Sequence, residues 1–264
     1  MKSNSMWQEG IGNIPPLTAW QAESLRMTAF YNPQNKVNAS SWWNEIVGGE
    51  PETRIFRPKE GIQREEGLFG QGKVILAVEP VRIDWSYTIV FDQESQAGGI
   101  PTLGSLPDSL DRFIPLIKQW FELETCPPVQ RLAFGAILLQ PVENLQVGYR
   151  QLSLYLQRYV QLDPEGSSDF LYSINRSRDS ACGVEGLRIN RLSKWSVASL
   201  KSFGLSIPPT SLMYFPGPEQ FACRLELDIN TVPDFSGEFS QEELPKIFQE
   251  LVDFGKEIAE KGDF

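Results

Sequence analysis

Glu226 and Asp228 stand two residues apart in FACRLELDINTV, where Phe221, Cys223, Leu225, Leu227 and Ile229 alternate with polar residues. On a β-strand that spacing puts both carboxylates on one face, opposite the apolar side chains. With Asp84 of the similar segment VRIDW beside them, the three acids could hold a hard divalent cation and support metal-dependent hydrolysis. The solvated outer face of a sheet shows the same pattern with no metal. No EF-hand loop accompanies the acids, so no metal site and no cofactor is assigned, and a hydrolase ranks behind two other readings.

Arg176, Arg178, Arg188, Arg191, Lys194 and Lys201 face only Asp179 and Glu185 in their stretch of chain. With Trp195 among them they could grip an anion, and single-stranded nucleic acid by phosphate contact and stacking is the second reading. From Glu219 to the last residue, four basic side chains meet twelve acidic ones, so the basic island could instead pair within its own chain. The whole chain has a formal charge of -10, which repels a polyanion at long range.

The 264 residues contain no histidine. That absence removes the commonest general base, the imidazole-dependent serine and cysteine triads, and every His-containing zinc site. Gly70-Gln71-Gly72-Lys73 opens like a phosphate loop but lacks the later Gly-Lys-Ser/Thr, and it reads as a hairpin turn. Neither a GxSxG elbow nor an SxxK pair occurs. Cys126, Cys182 and Cys223 are odd in number and irregular in spacing, which suits free thiols in a reducing compartment. No catalytic residue is assigned. Among the aromatics, Trp42 and Trp43 are adjacent, so on a helix at most one should point straight into the core. The other, with Trp195 and with Trp7 and Trp20 nearer the start, could anchor a partner protein.

The composition is that of a globular chain, 41% hydrophobic and 22% charged. The first twenty residues are too polar for a secretory signal and no apolar run could span a bilayer, so a soluble, cytoplasmic protein without membrane partners is expected. Residues 1–22, with Gly10, Gly12, Pro15 and Pro16, read as a mobile lead-in. ESLRMTAFY then reads as a strand, SSWWNEIVGG as a short capped helix, and residues 53–91 as several strands. A helix follows between Asp108 and Leu123, which Pro115 should kink or delay, and Cys126-Pro127-Pro128 marks a boundary.

The second half repeats this order. VQRLAFGAILLQPV is a central strand, LQVGYRQLSLYLQRYVQL a helix, and SDFLYSINRSR and GLRINRLSKWSVASL are strands, the latter with a slip after Ile189. After FACRLELDINTV comes an amphipathic helix opened by Ser240 and Glu243 in a capping-box pattern. Residues 23–126 and 129–264 thus form two similar β-α-β-β-(β)-α halves of an α+β protein, an antiparallel sheet with helices packed on one face.

SSWWNEIVGGEPE, the strand running into RIDW, the late LDIN strand and the C-terminal amphipathic helix together resemble a sporadically distributed family of uncharacterised bacterial proteins of similar length. Its members occur in patchily inherited loci, including phage-defence ones. The resemblance implies an accessory, partner-dependent role, with CRISPR or other antiviral defence as one setting, and implies no site residues. The leading expectation is therefore a non-enzymatic interaction module, an adaptor or regulatory subunit whose partner is another protein encoded in the same locus.

Overall fold

Strict alternation of apolar and polar side chains requires a strand with one buried face, as residues 223–229 show. The computed structural model describes residues 13–35, 37–90, 99–206 and 213–262. The first half runs β1 (Gln21–Tyr31), α1 (Trp42–Ile46), β2 (Thr53–Arg57), β3 (Ile62–Phe69), β4 (Gly72–Glu79), β5 (Arg82–Thr88) and α2 (Leu106–Phe121). The second runs β6 (Val129–Val142), α3 (Leu145–Leu156), β7 (Leu171–Asn175), β8 (Arg178–Asp179), β9 (Arg188–Ser206), β10 (Met213–Thr231) and α4 (Leu244–Lys261).

All ten strands belong to one antiparallel sheet in the order β2-β3-β4-β5-β1-β6-β10-β9-β7, with β8 paired to β9. The order reads nearly alike outward from the centre. β1 matches β6, β5 matches β10 and β4 matches β9. Aligning Asp84 with Asp228 equates their partners Thr28 and Gly135, which puts the local two-fold axis at the facing pair Met27 and Phe134. Pro127-Pro128 lies at the join, yet the join itself is a hydrogen-bonded seam between β1 and β6.

Among the described residues the four helices share one face of the sheet. Leu25, Met27, Val74, Leu76, Trp85, Phe134, Leu138, Leu225 and Ile229 point toward them and are buried in a single core. α2 runs unbroken through Pro115 and begins at Leu106 rather than late, because Ser105 caps it and accepts the Asp108 N–H at 3.3 Å. α3 stops at Leu156, short of the expected Leu162. Gly148 lets α3 lie on the sheet, since a Cβ there would come within 2.8 Å of Val197. At the start of α4, the Glu243 carboxylate accepts the Ser240 N–H at 2.7 Å and the Ser240 hydroxyl at 2.8 Å. These bonds hold its pKa below the usual carboxylate value, so their contribution is present above that value and is lost as pH falls through the depressed one.

Two expectations change. The lead-in is ordered before residue 22, since Trp20 is fully buried and its indole donates to the Ala259 carbonyl at 2.8 Å. β9 also alternates without a slip. Leu187, Ile189, Arg191, Ser193 and Trp195 are buried on the helix side, and Leu192 lies on the opposite face. Gly70, at φ +58°, fills the first position of the two-residue β3–β4 turn, a type II′ hairpin and not a phosphate loop.

Phe134 sits on the two-fold, edge-on to Phe248 of α4 and against Gly255. Phe134→Ala is expected to cost about 3–5 kcal/mol, read as a lowered midpoint in urea unfolding with an unchanged slope.

Candidate functional site

Among the described residues none covers the sheet face turned away from the helices, and this face carries the residues with chemical potential. Cross-strand register arranges them in rows. One row runs Ile75, Ser86, Arg26, Gly135, Asp228 and Leu192; the next runs Lys73, Thr88, Ser24, Ile137, Glu226 and Lys194. Lys73 apart, they line an open trough of about 540 Å³ that reaches from β4 to Ser173 of β7. Its floor is low because Ser24, Ser86, Thr88 and Gly135 are small. Gly135 also makes room for Arg26, whose guanidinium lies across it, 3.4 Å from where a Cβ would stand.

Glu226 and Asp228 occupy this face, as the alternation requires, and so does Asp84. They do not converge. The Asp84 row runs Asp84, Thr28, Ala133, Asn230, so the acids of β5 and β10 stand three strand spacings apart, roughly 14 Å. Asp84 is 9% exposed and engaged, accepting from the Thr28 hydroxyl and meeting Arg82 at 2.7 Å. Glu226 is bridged by Arg224 at 3.0 Å and Lys194 at 3.4 Å. Among the described residues no three of Cys, Asp and Glu gather as a metal-holding group.

The basic island divides between the two faces. Arg191, on the helix side, is 1% exposed, binds Glu257 of α4 at 3.1 Å and lies over the Phe254 ring at 5.1 Å. Arg178 meets the same Glu257 at 2.9 Å. Arg188 pairs with Asp179 at 3.2 Å, and the Arg176 guanidinium lies 4.1 Å over Tyr159. Among the island's described side chains only Lys194 reaches the trough, and the side chain of Lys201 lies outside the described residues. Arg178, Arg191 and Lys194 therefore meet acids of the C-terminal third.

The tryptophan expectation needs correction, because Trp42, Trp43 and Trp195 are all buried and cannot anchor a partner from the surface. α1 is enclosed on two sides, so both of its indoles find apolar walls. Trp42 packs edge-on against Trp120 of α2 and donates to Thr125 at 2.8 Å, while Trp43 covers Gly67 of β3. Trp195 joins Trp20 and Tyr155 in one aromatic cluster and donates to Ser193 at 3.1 Å. Trp7 lies outside the described residues.

Reasoning from sequence also missed a group at one end of the open face. Phe30 has Arg82 and Arg131 as its two cross-strand neighbours, with guanidiniums 5.9 Å and 5.0 Å from the ring centre. They border a small pocket of about 150 Å³ with Arg26, Thr28, Ala133, Asp228 and Asn230. The signal lies in the polar member of each alternating pair, and only the register of three strands brings those members together.

Burial pushes the Cys126 and Cys223 thiols up to about 12. Cys182 is half-buried in the loop before β9 and its sulfur lies 2.9 Å from the Ser180 hydroxyl. At pH 8, iodoacetamide is expected to label Cys182 first and to spare Cys223 until unfolding, read by peptide mass spectrometry. Glu257→Gln is expected to lower stability by about 2 kcal/mol, because it weakens the charged partner of a buried guanidinium, measured by urea unfolding.

Compared with protein-family models, curated proteins and solved structures, the chain matches none.

Proposed function

We propose that this chain is a non-enzymatic binding protein, an accessory subunit that receives a polypeptide segment of a partner protein along its uncovered sheet face. The observation that carries this reading is the trough itself, about 540 Å³, floored by Ser24, Ser86, Thr88 and Gly135 and open from β4 to β7. Its size is that of ordinary ligand clefts. Its rim mixes apolar Ile75, Ile137 and Leu192 with the charges of Arg26, Lys194, Glu226 and Asp228. Such a mixture suits side chains of both signs and backbone amides. It does not suit a phosphate chain, which Glu226 and Asp228 would repel. The partner therefore belongs to the protein class, and the resemblance noted above adds an accessory setting, including antiviral defence.

The test is affinity capture by the tagged protein from its native lysate, with and without nuclease, alongside an Arg26→Glu/Lys194→Glu variant. One stoichiometric protein retained after nuclease and lost with the variant is the expected result. Loss after nuclease alone would favour the nucleic-acid reading. Capture indifferent to the open-face charges would overturn the assignment of the trough, and recovery of no protein besides the tagged chain would overturn the binding-protein reading.

A further inference from the structure

The small pocket at the Phe30 end of the open face has a charge arrangement that selects its ligand. Its floor is Ala133 and Thr28, small side chains paired across β6 and β1. On one side of that floor stands Arg131, held flat against Phe30 at 5.0 Å and by its Nε–H donating to the Thr231 carbonyl at 3.4 Å. Its two terminal amino groups have no carboxylate partner among the described residues, although the guanidinium is fixed in place. On the other side lies Arg26, laid across Gly135, whose nearest acid is Asp84 at the long distance of 4.0 Å. Asp84 itself is satisfied by Arg82 and Thr28. Asp228 accepts from Asn230 at 3.0 Å.

Three guanidiniums and two carboxylates therefore leave one positive charge in surplus, directed into a space of about 150 Å³. A dianion brought there would meet Asp84 and Asp228 as neighbours, whereas a planar monoanion can take the free edge of Arg131 in a fork geometry and turn its other oxygen toward Arg26. We propose that this pocket binds a single carboxylate group, supplied by the polypeptide that occupies the trough, either as its terminal carboxylate or as an aspartate or glutamate side chain. The assignment rests on the reading of the open face as a protein-binding surface and fixes which flank of the trough receives the acidic group, the side where β1 and β6 carry Phe30 and Arg131. Orientation follows from the same geometry, because on the opposite flank Arg224 already has Glu226 and Glu23 as partners, as Lys194 has Glu226.

The test needs no partner. The protein, labelled for detection of arginine Nε–H signals by NMR, is titrated with sodium acetate, N-acetylglycine, the amide of N-acetylglutamate and inorganic phosphate at pH 8. Saturable shifts of the Arg131 and Arg26 signals with acetate are expected. Arg131→Gln should weaken them by roughly tenfold or more, Arg131→Lys should recover only part of the affinity, and Arg150→Gln should leave it unchanged. Backbone spectra of each variant establish that the fold is intact. The tighter of the two acetylated amino acids identifies a terminal or a side-chain carboxylate as the source. Absence of saturation, equal binding in Arg131→Gln, tighter phosphate than acetate, or acceptance of acetate but neither acetylated amino acid would each overturn the proposal. If acetate binds as expected but partner capture ignores the open face, the trough assignment fails and the pocket stands. Capture that depends on Arg26 and Lys194 with no carboxylate binding gives the reverse.

Discussion

The pairing of β1 with β6 is the constraint on which the rest of the molecule depends. Among the described residues these strands are the only direct sheet contact between the halves, and their register decides which side chains meet on both faces. On the helix side it brings Met27 opposite Phe134 and so closes the core beneath α2 and α4. On the open side it puts Arg26 over Gly135, Thr28 beside Ala133 and Phe30 beside Arg131. A slip of one residue would turn each of these side chains to the other face, burying the guanidiniums and exposing Leu25 and Met27.

Burial on one face only then sets the division of labour. The helices cover the apolar side, and long-range polar ties hold them there. The Trp20 indole reaches the Ala259 carbonyl, and Arg178 and Arg191 both reach Glu257. Buried arginine is expensive unless its charge is met, which makes α4 more than an apolar lid. It supplies the carboxylate that Arg191 requires. The basic stretch that resembles an anion grip in sequence is in large part this internal fastening. On the other face of the sheet, where the apolar demand of the core does not reach, Arg26, Lys194, Glu226 and Asp228 stand around the trough.

Much of the architecture was legible because it rests on local periodicity. The alternation from Phe221 to Ile229, the stripe of α4 and the parallel order of the halves all predict elements that are present, and together they predict an antiparallel sheet with helices on one face. Failures occurred where a polar residue is buried. Arg191 and Ser193 break the apolar alternation of β9 in composition but not in space, so the strand reads as slipped, with Leu192 turned inward. Trp42 and Trp43 mislead for the opposite reason. Adjacent helical positions should diverge, but a five-residue helix enclosed by Trp120 and Gly67 buries both. The spacing of Glu226 and Asp228 puts them on the face they occupy, whereas the distance of Asp84 from them depends on strand order. Arg26, Phe30 and Arg131 carried no local signal at all, since an arginine on an alternating strand looks like any solvated residue until three registers align.

The seam also imposes an order in time. β1 pairs on one side with β5, about sixty residues away, and on the other with β6, about a hundred residues away. Contacts so distant in sequence form slowly, because the intervening loop entropy is lost before they return any stabilisation. As a chain emerges from the ribosome, the first half can assemble its five strands while the outer edge of β1 still awaits a neighbour. That edge is eleven residues long and belongs to what becomes the centre of the sheet, the kind of unpaired template on which foreign strands add. The break in register between Ala22 and Ser24 and the outward charges of Glu23 and Arg26 interrupt it. The residues that shape the open face of the finished protein thus also guard its half-made sheet until β6 arrives.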